Sequence, residues 1–406
     1  MPVRYTCISC GRGYDTDEVI YRCPLCEGAG GGFQKGTLLA IADPPAGARP
    51  GAPVDPLAFL PIPVPATLSS AFPVGSTPLA RPPRLLARTG LPNLCFKLDY
   101  LNPSGSLKDR ASILVAAQAM QHHTGTVTLA STGNAGASMA CAAAACGLHV
   151  VLFVPASAPR AKLLQSLVHG ARVVPIRGTY DDAFALSIQY TKACGGINRN
   201  TAYNPLTIEG KKTVSLELYN QLGCEVPDVV YVPTGDGVIF GGVHKGFADL
   251  AAAGLAPRVP TLVVVQAEGS NAIARSFREG REVVLPRATT FADSISVASP
   301  ANGEMALACL EESRGRAVEV SDAEILSAQA DLAREGGLFV EPSSAAAWAG
   351  LLKDRGNVEP GARIVVLLTG SGFKDTAAAE KLVALPQACE PRLASALELL
   401  KTVYGA

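Results

Sequence analysis

Net charge is what this 406-residue chain lacks: 35 Lys and Arg stand against 35 Asp and Glu. A neutral chain has no basic footprint for neutralising phosphates, which argues against nucleic acid as a partner. Charge of any sign is scarce, 17% against the ~25% of ordinary soluble domains, and there is one Trp. With 48% hydrophobic residues and 40 Gly, the mix suits buried sheets wrapped by small-residue helices, not a disordered or fibrous chain. No uninterrupted apolar run is long enough for a membrane. From Ala111 to Pro159 there is no Asp, Glu, Lys or Arg, yet His122–His123, Ser131–Asn134 and Gly147 break the stretch. A spanning helix needs about 20 apolar residues in a row, so no membrane partner is expected. No signal peptide is legible at Met1–Tyr5, and eleven Cys is an odd count. Both features argue against a secreted disulfide scaffold and point to a reducing cytoplasm.

Length over about 150 anticipates two to three domains, or one large α/β unit with an appendage. Composition divides the chain accordingly. Residues 1–42 hold four Cys, and residues 43–70 form a linker dense in Pro, where extended, semi-rigid chain is expected. Residues 71–385 alternate β-branched runs with Ala-rich stretches, and 386–406 read as a C-terminal helix. Strands are predicted at Leu94–Lys97, Val127–Ala130, Val150–Val154, Val173–Ile176, Val229–Val232, Leu262–Gln266 and Ile364–Leu368. Helices are predicted over 108–120, 135–146, 180–194, 208–222, 241–253 and 322–335. This alternation predicts an α/β fold of two doubly wound parallel sheets, the smaller subdomain spanning about 111–206.

Cys7-Ile8-Ser9-Cys10 and Cys23-Pro24-Leu25-Cys26 pair two CxxC turns across twelve residues. Four thiolates satisfy a tetrahedral zinc ion, and no position is left open for a catalytic water. A structural Zn²⁺ held by Cys7, Cys10, Cys23 and Cys26 is the expectation, beside the alternative of a ribbon that folds without metal. The other seven Cys read as small buried hydrophobes.

Five segments carry candidate chemistry. Asn102-Pro103-Ser104-Gly105-Ser106-Leu107 leads into a helix that begins near Lys108. The positive end of the helix dipole disfavours an ammonium there and favours a neutral, nucleophilic amine. Alone, such a lysine is a solvated charge. Ser131-Thr132-Gly133-Asn134-Ala135 follows a buried strand and opens a helix, a setting suited to a carboxylate, or an ordinary helix cap. Thr234-Gly235-Asp236-Gly237-Val238-Ile239 is a Gly-rich turn between strand and helix of the kind that cradles phosphate, or a tight βα turn. Thr369-Gly370-Ser371-Gly372 ends another strand, and Glu341-Pro342 reads as a turn and helix start.

Together and in this order, from Phe72 to about Asp375, these segments resemble the threonine synthase branch of the type II pyridoxal-phosphate enzymes. Val74-Gly75-Ser76-Thr77-Pro78-Leu79, Ser166–Arg172, Tyr180–Ala183 and Ile208–Thr213 strengthen the likeness, and the Cys-rich front is similar to the zinc ribbon of many members. The resemblance implies pyridoxal 5′-phosphate as cofactor, with Lys108 carrying it as an internal aldimine and later moving protons. It implies that Asn134 meets the cofactor's phenolic oxygen, and that Gly235, Asp236, Gly237, Val238 and Ile239 wrap its phosphate. Thr369 would face the pyridine nitrogen. Ser131, Thr132, Gly133, Asn134 and Ala135 would hold the carboxylate of a small amino-acid substrate. A neutral hydroxyl at the nitrogen weakens the electron sink and favours side-chain elimination and replacement over transamination. A homodimer is the assembly implied.

The match departs from the branch at its distal-phosphate ligands. Where threonine synthases carry Asn, Ser, Arg, Asn and Thr, this chain has Thr201, Ala202, Thr207, Asp236 and Ala135. Losing the Arg removes a bidentate clamp, and Asp236 would repel a second dianion. Arg199 and Lys212 are the nearby cations that could replace it. The expected reaction is therefore elimination or replacement at Cβ of an amino acid without the distal phosphate. Threonine synthase, making threonine from O-phosphohomoserine, is the alternative, and a non-catalytic cofactor-binding or zinc-ribbon interaction protein is the reading from another class.

Overall fold

The computed structural model describes residues 4–15, 21–29 and 32–405. Its centre is a six-stranded sheet in the order Arg316–Val320, Thr261–Ala267, Val229–Pro233, Ile364–Leu368, Leu94–Leu98, Leu79–Ala80, parallel except for the last pair. A four-stranded parallel sheet runs Arg172–Ile176, His149–Pro155, Thr126–Ala130, Ile197–Asn198. The seven predicted strands are all present, each within two residues of its expected ends. Arg316–Val320 was not anticipated; it is an edge strand whose side chains are mostly half-exposed, so no apolar run marks it.

Continuous apolar strands are what a parallel sheet covered on both faces requires. Along the large sheet Val230, Val232, Leu262, Val264, Val365 and Leu367 enter one core, while Tyr231, Val263, Val265, Val366 and Leu368 enter the other. Helices Leu206–Gln221 and Val238–Ala252 cover the first face and Asp322–Gly336 and Pro342–Lys353 the second. The small sheet divides likewise, with Val127, Leu129 and Leu152 on one side and Val151 and Phe153 on the other.

Leu206–Gln221 departs from the usual amphipathic pattern. Every residue from Leu206 to Tyr219 is buried, including Glu209, Lys211, Lys212 and Glu217. Gly210 permits this depth, because a Cβ there would overlap the carbonyl of Arg110. Further along, Glu217 and Asp99 grip the buried Arg110 guanidinium at 2.8 and 2.7 Å, and Lys97 reaches Glu217 at 2.7 Å.

The Pro-dense stretch differs from a free spacer. Val54, Phe59 and Leu60 are buried, the Val54 N–H and C=O both pair with the Asn220 side chain, and Ala66–Ala71 is helical. Proline supplied the extended shape, while the apolar residues between the prolines supplied the docking. A second difference concerns the scattered thiols: Cys95 and Cys309 are buried, but Cys194 and Cys389 are exposed. Among the described residues no helix is long and apolar enough to cross a membrane. The final helix is Leu393–Tyr404.

The front of the chain is a three-stranded antiparallel sheet with Arg4–Cys7 between Gly13–Asp15 and Leu38–Ile41. Cys7 ends the central strand, and the chain turns back through Gly11 at φ +71°. The second knuckle is a tight turn closed by Cys26 N–H and Glu27 N–H on the Cys23 carbonyl.

Candidate active site

Ligands of open α/β sheets bind beyond the carboxyl ends of the strands. Here four such ends converge. Leu94–Leu98 leads into the loop before Lys108, Thr126–Ala130 into Ser131–Ala135, Val229–Pro233 into Gly235–Ile239, and Ile364–Leu368 into Thr369. Lys108, Asn134, Gly235, Asp236, Ile239, Ser294, Glu341 and Thr369 line one small cavity. A wider cleft of about 420 Å³ adjoins it, lined by Lys108, Ser131, Thr132, Gly133, Asn134, Ala135, Tyr180, Thr201 and Asp236 among others. Of the other two predicted residues of the Gly-rich turn, Gly237 precedes the next helix and Val238, fully buried, begins it.

Lys108 opens the helix Lys108–Gln121. The preceding turn is braced against the Thr369 loop: Leu107 N–H donates to Thr369 O at 2.8 Å, and Ser371 N–H donates to Gly105 O at 3.0 Å. Gly105 has φ +87°, a conformation only glycine adopts cheaply. Burial holds the Lys108 amine below its ordinary range; Asp236 and Glu341 pull it up, and Arg199 pushes it further down. Its tendency is toward the neutral nucleophile.

Ser131 serves as a cap, its hydroxyl oxygen accepting from Gly133 N–H at 3.2 Å and Gly136 N–H at 3.1 Å. Thr132, Gly133, Asn134 and Ala135 line the cleft beside it. In the Gly-rich turn, a Cβ at Gly237 would lie 2.7 Å from Asn302 O, and Gly237 has φ +89°. Asp236 folds back to accept from Val238 N–H at 3.0 Å, so this chain's own carboxylate sits at the N-terminus of helix Val238–Ala252.

Thr369 is tied down by Ser344. The Ser344 hydroxyl accepts from Thr369 N–H at 3.0 Å and Gly370 N–H at 2.6 Å, and lies 3.1 Å from Thr369 Oγ1.

Glu341 is the cavity-lining residue that a turn-and-helix-start reading misses. It is buried, and Asn134 Nδ2 donates to its two oxygens at 3.1 and 3.0 Å. Burial pushes its carboxyl up, against the pull of Asn134. The available signal was a carboxylate between an apolar strand and a small-residue helix, where nothing charged could reach solvent. Ser294, which Asn134 also reaches at 3.3 Å, lies in a loop with no pattern to mark it.

The two candidate replacement cations behave oppositely. Lys212 is locked between Glu209 at 2.7 Å and Asp249 at 2.8 Å, and its amine is raised despite burial. Arg199 is buried and donates through Nη1 to Thr201 Oγ1 at 2.6 Å, and its Nη2 has no partner among the described residues. Burial lowers Arg199 to about 10 and depresses Lys211 strongly, and Lys211 Nζ is also buried without a partner. Lys108, Arg199 and Lys211 thus share the field of Asp236, and of the three basic groups burial leaves Arg199 the one that stays charged at neutral pH.

In the front module the thiols of Cys7, Cys10, Cys23 and Cys26 all lie within 4.8 Å of one another. Cys10 and Cys23 Sγ are 3.8 Å apart, and Zn–S bonds of 2.3 Å in a tetrahedron set sulfurs about 3.8 Å apart. The donor set fits a zinc ion.

Comparison with known proteins agrees with this geometry. The profile of the family described as pyridoxal-phosphate dependent enzyme matches residues 71–370. Over 375 residues the chain is 36% identical to a threonine synthase of Methanosarcina acetivorans, covering 91% of each protein. It is 37% identical to a threonine synthase of Synechocystis over 303 residues, 74% of this chain and 77% of that one. Among solved structures, maize serine racemase superposes with TM-score 0.67 at 22% identity, covering 78% of this chain and 95% of that one. A fungal L-serine ammonia-lyase from Rhizomucor miehei gives 0.65 at 24%, covering 76% and 97%. Those two likenesses concern the fold. With the profile spanning most of the chain, the protein belongs to the pyridoxal-phosphate dependent enzyme family.

Proposed function

We propose that the chain catalyses elimination or replacement at Cβ of a small amino acid that lacks a distal phosphate, using pyridoxal 5′-phosphate joined to Lys108. The residues present fit that cofactor. Gly235 and Gly237 form a turn in which a Cβ would meet Ile295 Cα at 3.0 Å or Asn302 O at 2.7 Å. Lys211 Nζ and Arg199 Nη2, buried without a partner among the described residues, are donors that a phosphate dianion would satisfy, its charge drawing the depressed Lys211 amine back toward the ammonium. When bound, the cofactor supplies the electron-withdrawing ring that stabilises charge developing at the substrate carbon.

The protein supplies position and protons. Thr132 and the N–H groups at the start of helix Asn134–Cys146 would hold the substrate carboxylate, aided by the dipole of that helix. Lys108, with its amine lowered by burial, would take the Cα proton and return it near the leaving group. Ser344 accepts two backbone N–H groups and keeps one proton to direct at Thr369 Oγ1 or Gly370 O, which orients the Thr369 hydroxyl. A structural zinc ion at Cys7, Cys10, Cys23 and Cys26 completes the reading.

One observation carries the choice of substrate: of the positions expected to hold a distal phosphate, Thr207 and Lys212 are engaged elsewhere and Asp236 is acidic. Thr207 Oγ1 donates to Asn204 O at 2.7 Å, Lys212 is locked, and Asp236 presents a carboxylate to the cleft. Threonine synthase itself is the second reading, favoured by the free Arg199 Nη2 beside Thr201 and by the names of the similar proteins.

A paired assay on cofactor-loaded protein separates them. One arm offers O-phosphohomoserine and follows phosphate and threonine. The other offers Ser, Thr and β-substituted analogues and follows 2-oxo acid and ammonia. Oxo acid without phosphohomoserine turnover is the expected result. Threonine and phosphate release would replace it with the second reading, and turnover in neither arm would overturn both.

A further inference from the structure

The four-cysteine module is bolted to the two loops that shape the cleft, through residues adjacent or hydrogen-bonded to its knuckles. Arg22 directly precedes Cys23. Its guanidinium donates to Lys35 O at 2.7 Å within the module and to Ala202 O at 2.9 Å outside it. Ala202 holds φ +65°, a strained conformation for a residue with a Cβ, costing roughly 1–2 kcal/mol. Its neighbour Thr201 lines the cleft. Tyr21 stacks on Tyr203 with centroids 4.7 Å apart, and its hydroxyl accepts from Asn198 N–H at 2.8 Å.

The second connection reaches the Gly-rich turn. Thr37 O accepts from Ile8 N–H at 3.0 Å, inside the first knuckle. Thr37 Oγ1 donates to Asn302 Oδ1 at 3.0 Å, and both residues are buried. Asn302 N–H donates to Asp236 O at 2.9 Å, and Asn302 O is the atom that forbids a Cβ on Gly237. Phe33 packs against Gly303 with no room for a side chain there, and Gln34 reaches the cleft wall. Three hydrogen bonds, by way of Ile8, Thr37 and Asn302, therefore connect the thiol cluster to the Gly235–Val238 turn.

We propose that Thr37 and Arg22 are positioning residues through which metal at Cys7, Cys10, Cys23 and Cys26 sets the affinity of the Gly235–Val238 turn for a phosphate ester. The physical basis is preorganisation. Without metal, the knuckles are joined by few contacts, since this module's own core consists of Tyr5, Cys7, Cys23, Leu38 and Ala40. Thr37 and Arg22 then lose their fixed base, and ordering the turn must be done at the moment of binding. The inference rests on the cofactor and zinc readings above.

The test titrates the full chain with pyridoxal 5′-phosphate and, in parallel, with pyridoxal, which lacks the phosphate. Thr37→Val is expected to weaken pyridoxal 5′-phosphate about three- to tenfold and pyridoxal hardly at all, with Thr37→Ser restoring affinity. Chelation of wild-type protein should give the same selective loss, reversed by Zn²⁺, and should add little in Thr37→Val. Arg22→Met serves as a second variant if Thr37→Val folds poorly. Unchanged phosphate-ester affinity in Thr37→Val and after chelation would overturn the inference. So would equal losses for both ligands, which mark general destabilisation, or a wild-type module that takes up no Zn²⁺. Wild-type protein that binds no pyridoxal 5′-phosphate would instead sink the functional reading, and this inference with it.

Discussion

Asn134 holds both carboxylate oxygens of Glu341 through one amide nitrogen, at 3.1 and 3.0 Å, across 207 residues of chain. Helix Asn134–Cys146 flanks the small sheet and Pro342–Lys353 the large one, so this contact spans the cleft floor. Asn134→Ala should destabilise the cofactor-free protein by about 1–3 kcal/mol at neutral pH, because a buried carboxylate loses its donor. Burial raises the Glu341 carboxyl, so protonation relieves that penalty as pH falls. Urea unfolding should therefore show a smaller loss at acid pH than at pH 8. Equal losses at both would mean Glu341 is not charged in the fold.

Lys108→Ala should abolish the visible absorbance of bound cofactor and lower turnover by about 10²–10⁴-fold or more. Absorbance spectra of the purified variant, with steady-state assays beside them, decide this. Retained turnover with cofactor would assign the chemistry to another residue.

Asp236→Asn should strengthen binding of phosphate-bearing ligands about tenfold, roughly one pKa unit of electrostatic energy. It removes a carboxylate from the N-terminus of helix Val238–Ala252 and keeps an oxygen for Val238 N–H. Pairing it with Thr207→Arg, as the family pattern invites, is the poorer experiment: Thr207 is fully buried, and an Arg there would overpack the helix. Calorimetric titration with O-phosphohomoserine reads the effect. No gain in affinity would place Asp236 outside the ligand's field.

Glu217 should control the acid limb of stability. Burial alone would raise its carboxyl, but Arg110 and Lys97 outweigh burial and hold it at about 2, below the ordinary 4.5. Between those values the folded chain binds fewer protons than the unfolded one, so stability falls as pH drops through that window. Glu217→Gln should flatten this limb and cost about 3–5 kcal/mol at neutral pH, since Arg110 and Lys97 stay buried. An acid limb unchanged in slope would put the titrating group elsewhere.

The sequence by itself determined the local elements and where chemistry could sit on them. β-branched runs between Ala-rich stretches marked the strands, and hydroxyls and glycines at the strand ends marked Ser131–Asn134, Gly235–Ile239 and Thr369. Those signals are local, because side-chain period and turn chemistry are written in adjacent residues. Only the tertiary structure decided which of the segments meet, and which charges are free. Lys211 and Lys212 are neighbours in sequence, yet one is paired twice and the other not at all. Glu341 looked like a turn until Asn134 was set against it, and Thr37 gave no signal before Asn302 was placed beneath it. Burial and pairing of polar groups depend on partners far along the chain, 265 residues for Thr37 and Asn302, and no local pattern encodes such a partner.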